Sequence, residues 1–191
     1  MNFLLDEPDI RSRFAPITPE QYRFMGESGL LGANVELING FILEKMPKSP
    51  LHTTTVARLQ AALVLALSQD LFIRKEEPLA LAISEPEPDI AVVYGHADAY
   101  AARHPKGEET LLVVEVALSS LALDRKKAEV YAAAGIPCYW LVNLADKTVE
   151  VYTAPQQSVY ASCVILGRSD TLTIPFGSEE VLPLSAIFPE Y

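Results

Sequence analysis

Two periodicities of apolar residues divide this chain. In Pro88-Asp-Ile-Ala-Val-Val93, Thr110-Leu-Leu-Val-Val-Glu-Val-Ala117 and Pro137–Val142 the apolar positions run almost unbroken, as in strands covered on both faces. In Val56, Leu59, Leu63, Leu67 they recur at helical spacing, which predicts a helix from about Leu51 or His52 to Ser68. Leu123, Val130 and Ala134 form a second such stripe, on a helix capped by Ser119 or Ser120 and stopped at Ala134-Gly135. Thr18-Pro19-Glu20 starts an earlier helix that ends near Gly26 to Gly29. Val35–Lys45 reads as a hairpin around a type I′ turn at Asn39-Gly40. Leu71–Glu77, Leu79–Ile83 and Ile90–Tyr94 read as strands, with a short helix around Ala99–Arg103. Val149–Thr153, Val159–Leu166 and Thr171–Ile174 complete the sheet.

That order predicts an α/β (α+β) fold: a mixed central sheet flanked by helices, preceded by a helix and a hairpin, in one domain over residues 1–191. Leu111–Val116, the following helix and Pro137–Val142 make a βαβ unit, so those two strands should be parallel. Half the residues are apolar, which excludes disorder. The N-terminus carries acid where a signal peptide carries base, and no apolar run reaches membrane-spanning length. Cys138 and Cys163 read as reduced core thiols, so a cytoplasmic location is expected. The net charge of -10 disfavours a strong general nucleic-acid binder. It leaves room for a site that holds a short stretch through a metal. Basic residues cluster only locally, at Arg103, His104 and Lys106 and at Arg125–Lys127.

Charged residues that break the apolar pattern are the chemical signal. Glu115 interrupts a doubly covered strand, and Asp89 opens another. Burying an ionised carboxylate costs several kcal/mol unless something compensates. Lys127 precedes Val130 by three residues and Tyr131 by four, so it lies on the inward stripe of its helix. Two acids and an amine so placed can gather around a divalent cation such as Mg²⁺, which takes one or two carboxylates, water and phosphate oxygens. The blander alternatives are a turn acid at Asp89, a metal-free Glu115–Lys127 pair, and snorkelling of Lys127. Glu36 is either a further ligand, a group that orients water, or a solvated strand residue. His52 either contacts phosphate or Glu36, or is an exposed residue beside a helix cap. Glycine-rich phosphate loops, Gly-x-Ser-x-Gly elbows and zinc-type Cys/His spacings are absent.

Val35-Glu-Leu-Ile-Asn-Gly40, Ser49-Pro-Leu-His52, Pro88-Asp-Ile-Ala91, Val114-Glu-Val116 and the run from Lys127-Ala-Glu-Val-Tyr131 to Tyr139-Trp-Leu-Val142 together resemble the Uma-two restriction-endonuclease family of the PD-(D/E)XK nuclease superfamily. The resemblance spans about Thr18 to Thr153. It implies a restriction-endonuclease-like fold and Mg²⁺- or Mn²⁺-dependent hydrolysis of nucleic-acid phosphodiesters, DNA being the expected polymer. It implies that Asp89, Glu115 and the Val116 carbonyl hold the metal. Lys127 matches a catalytic lysine displaced onto the next helix, and Glu36 the additional catalytic acid. A homodimer would suit duplex cutting. Three departures stand out: Leu118 where relatives often have an acid, Cys138 where an acid often precedes Tyr-Trp, and a stretch Asp124–Lys127 one residue short. The alternative is an inactive nuclease fold kept for protein or nucleic-acid association.

Overall fold

The computed structural model describes residue 9 and residues 13–176 and 181–190. Helix α1 (Pro19–Glu27) is closed by a capping box between Thr18 and Gln21. It leads into the hairpin of β1 (Val35–Ile38) and β2 (Phe41–Glu44). Asn39 and Gly40 both have positive φ, 49° and 79°, as a type I′ turn requires. Helix α2 (Pro50–Ala66) follows, with Ser49 accepting from the His52 amide at 3.2 Å.

The main sheet has six strands: β3 (Leu71–Lys75), β4 (Ile90–Tyr94), β5 (Thr110–Ala117), β6 (Cys138–Asn143), β7 (Thr148–Gln156) and β8 (Val159–Gly167). They lie side by side in sequence order. β5 and β6 are parallel, with α3 (Leu121–Ala133) crossing between them. Every other neighbouring pair is antiparallel. The chain closes with β9 (Thr171–Thr173), β10 (Val181–Pro183) and the short α4 (Leu184–Ile187).

Alternation along the strands sorts the core into two layers. Ile90, Val92, Leu112, Val114, Val116, Trp140 and Val142 pack with Val56, Leu59 and Leu63 of α2 and with the C-terminal Leu184, Ile187 and Phe188. Ala91, Val93, Val113, Ala117, Tyr139 and Leu141 pack with Ala128, Val130 and Tyr131 of α3 and with Ile38 of β1. Parity therefore puts Asp89 and Glu115 on the α3 face. The Ile90–Val114 pairing, continued by one residue, sets Asp89 opposite Glu115.

Four expectations need correction. Residues 79–83 form no strand. Pro78, Pro86 and Pro88 crowd this segment, and its amides go to single partners, Leu79 to the Pro86 carbonyl (2.9 Å) and Ala80 to that of Pro105 (2.8 Å). β9 does not extend the main sheet but pairs with β10. Cys138 is buried, but Cys163 is exposed. Ser120 stands at the N-cap of α3 without capping through its side chain; its hydroxyl donates to Asp124 at 2.5 Å instead.

Candidate active site

A cleft of about 110 Å³ opens where β1, the start of α2, the ends of β4 and β5, and the first turns of α3 meet. Glu36, His52, Asp89, Glu115, Val116, Asp124 and Lys127 all line it. The six residues singled out in the sequence therefore come together, drawn from five separate stretches of chain.

Lys127 is at the centre. It is 5% exposed. Its Nζ lies 2.6 Å from Glu36 Oε1, 3.1 Å from Glu115 Oε1 and 3.8 Å from Asp124 Oδ1. The first two distances are hydrogen bonds and the third is not. One of the three ammonium hydrogens is therefore uncommitted among the described residues. Burial opposes the charge on Lys127, but Glu115, Glu36 and Asp124 outweigh it and hold the amine above its ordinary pKa.

Glu115 Oε1 also accepts from the Tyr131 hydroxyl at 2.7 Å. Its other oxygen accepts no hydrogen bond from a described residue. Burial drives the Glu115 pKa up to about 8, with Asp124, Asp89 and Glu36 adding to the rise against the pull of Lys127. Burial likewise raises the carboxyl of Asp124. Glu36 is fixed at both ends: Oε1 on Lys127, and Oε2 accepting from the Glu87 amide at 3.2 Å.

Asp89 is held by one oxygen. Its Oδ2 accepts from the Val116 amide at 2.8 Å and faces His52 Nε2 at 3.1 Å. Its Oδ1 has no protein partner among the described residues. The N–H and carbonyl of a strand residue leave on the same side, so the Val116 carbonyl emerges beside Asp89, past the end of β4. His52 faces Asp89 rather than Glu36, and its buried Nδ1 is unpartnered among the described residues.

Asp124 and Tyr131 belong to the site, although the sequence gives them no obvious part. The signal for both is their spacing, one turn either side of Lys127 on the same face.

The donor set suits a hard divalent cation. Asp89 Oδ1 and Glu115 Oε2 are oxygen donors with no other described hydrogen-bond partner, and the Val116 carbonyl is a third oxygen donor beside Asp89. Glu36, Glu115 and Asp124 lie within 3.8 Å of one buried amine, and Asp89 is buried in the same cleft, so acids outnumber the base. Among the described residues no three His, Cys, Asp or Glu side chains form a ready-made metal cage. A two-carboxylate site completed by a carbonyl and waters is the arrangement these residues allow, and it is an ordinary one for Mg²⁺.

Comparison with known proteins places this geometry. Residues 29–185 match the family model described as "Uma2: Putative restriction endonuclease". The chain belongs to that family. The matched interval contains every residue of the cleft described above. A solved structure, titled as a putative nuclease belonging to DUF820 from Anabaena variabilis ATCC 29413, shares the fold. Its TM-score is 0.73 at 18% identity, covering 91% of this chain and 98% of that one. No curated protein matches. No described helix of this Uma2 member is long and apolar enough to cross a membrane.

Proposed function

We propose that this protein is a divalent-metal-dependent nuclease of the PD-(D/E)XK type, which hydrolyses nucleic-acid phosphodiesters, with DNA as the substrate. The observation that carries the reading is the gathering of Glu36, Asp89, Glu115 and Lys127 in one solvent-reachable cleft. Asp89, Glu115 and the Val116 carbonyl would hold Mg²⁺ or Mn²⁺. Bound there, the cation would acidify a water and offset charge that develops on the phosphate.

The chain's own groups do the rest. Lys127 stays protonated, so it cannot be a general base. Its uncommitted N–H instead orients the attacking water or meets a phosphate oxygen as charge builds. Glu36 aims that amine, and Tyr131 aims Glu115. His52 and the Val116 amide hold Asp89 by Oδ2, which leaves Oδ1 facing the ligand. A homodimer belongs to the same proposal. β8 lies at the open edge of the sheet, with Val159, Val164 and Ile165 exposed, and strand pairing there would join two copies. Light scattering with size-exclusion chromatography tests this; a monomer at all concentrations refutes it.

Calorimetric titration with Mn²⁺ tests the metal site, and binding should vanish in Asp89→Ala. Cleavage of a panel of single-stranded, double-stranded and branched DNA should require Mn²⁺ and be lost in Lys127→Ala. The acidity of the cleft favours a second reading, an inactive nuclease fold kept for association. That reading requires wild-type protein to bind the metal or the polymer without turning it over.

A further inference from the structure

Arg103, His104 and Lys106, the basic run visible in the sequence, line a second groove of about 910 Å³. Arg23 of α1 joins them there. The Tyr100 ring carries two guanidinium groups, Arg103 Cζ at 5.4 Å and Arg74 Cζ at 5.7 Å from its centroid. Arg74 is buried behind this loop. It donates to His104 Nδ1 at 3.3 Å, and its Nε has no partner among the described residues. An Nδ1 that accepts leaves the His104 proton on Nε2. Burial, together with Arg74, lowers the pKa of His104, so the ring is a neutral donor.

Charge distinguishes the two cavities. The cleft is lined by seven carboxylates against three lysines, and two of those lysines, Lys45 and Lys48, are already paired with Glu87 and Glu76. The groove is lined by Arg23, Arg103 and Lys106 against Glu20 alone. Arg23 is paired with Glu85 through one terminal nitrogen, and Arg103 holds Glu109 through both of its terminal nitrogens and also donates to the His104 carbonyl. Both arginines are about half exposed, and Arg103 keeps its Nε–H and one terminal hydrogen for a ligand. Lys106 has no side-chain hydrogen bond or ion pair among the described residues.

We propose that this groove binds the phosphodiester backbone of the nucleic-acid strand next to the stretch that enters the cleft. The cleft repels a polyanion and can grip only the phosphate that meets the metal, so affinity must come from elsewhere. The groove is adjacent: residues 80–82 form its wall, Glu87 and Asp89 form the wall of the cleft, and the Leu79–Pro86 hydrogen bond ties the two ends of that segment together. Planar guanidinium forks and an unpaired ammonium suit phosphate oxygens and read no base. The strand's position rests on the nuclease reading, but the groove's ability to bind it does not.

The test is fluorescence anisotropy with labelled single- and double-stranded DNA in EDTA, over a range of salt concentrations. Lys106→Glu and Arg103→Ala are compared with wild type, and melting curves confirm that they fold. Each should weaken binding roughly tenfold at about 0.1 M salt and reduce the slope of log affinity against log salt by about one. Wild-type affinity and slope in both variants would overturn the groove and leave the nuclease reading standing. Groove-dependent binding with no Mn²⁺-dependent cleavage by wild type would sink the nuclease reading and leave the groove. A labelled mononucleotide that binds as tightly as the oligonucleotide would show a small-anion pocket and overturn a strand track. Failure of wild type to bind either DNA would overturn it as well.

Discussion

Lys127 illustrates how one side chain can hold a site together. It is the buried counter-charge for Glu36 and a hydrogen-bond donor to Glu115, each 5% exposed or less. Removing it strands the Glu36 carboxylate in low dielectric. Lys127→Met should therefore cost about 3–5 kcal/mol, read as a lower denaturant midpoint, and Glu36→Gln added to it should recover part of the loss. Glu115 makes a separate prediction with pH. Its folded pKa, about 8, lies above the ordinary 4.5. Between those values the folded chain keeps a proton that the unfolded chain has released, so stability falls as pH rises through that window. Denaturation from about pH 5 to about pH 8 should show a decline that Glu115→Gln makes shallower; parallel curves would contradict the burial argument. The sequence made Asp89, Glu115 and Lys127 legible because each places charge where the pattern demands an apolar residue. Asp124 was hidden because an acid in the first turn of a helix is commonplace. Tyr131 was hidden because a tyrosine on an inward stripe reads as core. His52 was singled out, but its partner was not. Asp89 is far from it in sequence, and only the docking of α2 beside β4 brings them together.

Each element supplies a fixed platform for one or two of these groups. The β1–β2 hairpin sits outside the main sheet and brings Glu36 to the amine on α3. Its turn is the point most sensitive to substitution. Gly40 has φ +79° and lies against Pro16, where an added Cβ would clash with that ring and its backbone. Gly40→Ala meets both penalties. The left-handed conformation alone costs about 1–2 kcal/mol, and displacement of the hairpin pulls Glu36 from Lys127. The expected outcome is a lower melting temperature together with weaker Mn²⁺ binding. A variant that loses stability but keeps wild-type metal affinity would show that the hairpin is not part of the site. The hairpin and the β5–α3–β6 unit were legible because turn chemistry and periodicity agree with tertiary packing there. Residues 79–83 were not, because alternating apolar residues mimic a strand while the flanking prolines deny it a ladder partner. β9 likewise reads as a seventh sheet strand, but nothing local to Thr171–Thr173 says that its partner is β10.

At the scale of the whole molecule, the charge distribution decides what binding can do for stability. The chain carries a net charge of -10, and an excess of acid is buried in its cleft. A divalent cation bound only by the folded state stabilises it by mass action. At a hundredfold excess over Kd the gain is about 2.7 kcal/mol. For a domain of this size that corresponds to a rise of roughly 5–10 °C in melting temperature. The sign with pH follows from Glu115, which must release its proton to become a ligand. Below about pH 8 the cation competes with that proton, so the thermal shift should be smaller at about pH 6 than at about pH 8, and binding near pH 7 should release protons. Differential scanning fluorimetry with Mn²⁺, and calorimetry in two buffers of different ionisation enthalpy, measure these quantities. Asp89→Ala should abolish the shift at every pH, whereas Lys106→Glu, on the far side of the 79–89 segment, should leave it intact. A cation response that is independent of pH and survives Asp89→Ala would place the ion elsewhere on the acidic surface and separate the cleft from metal chemistry.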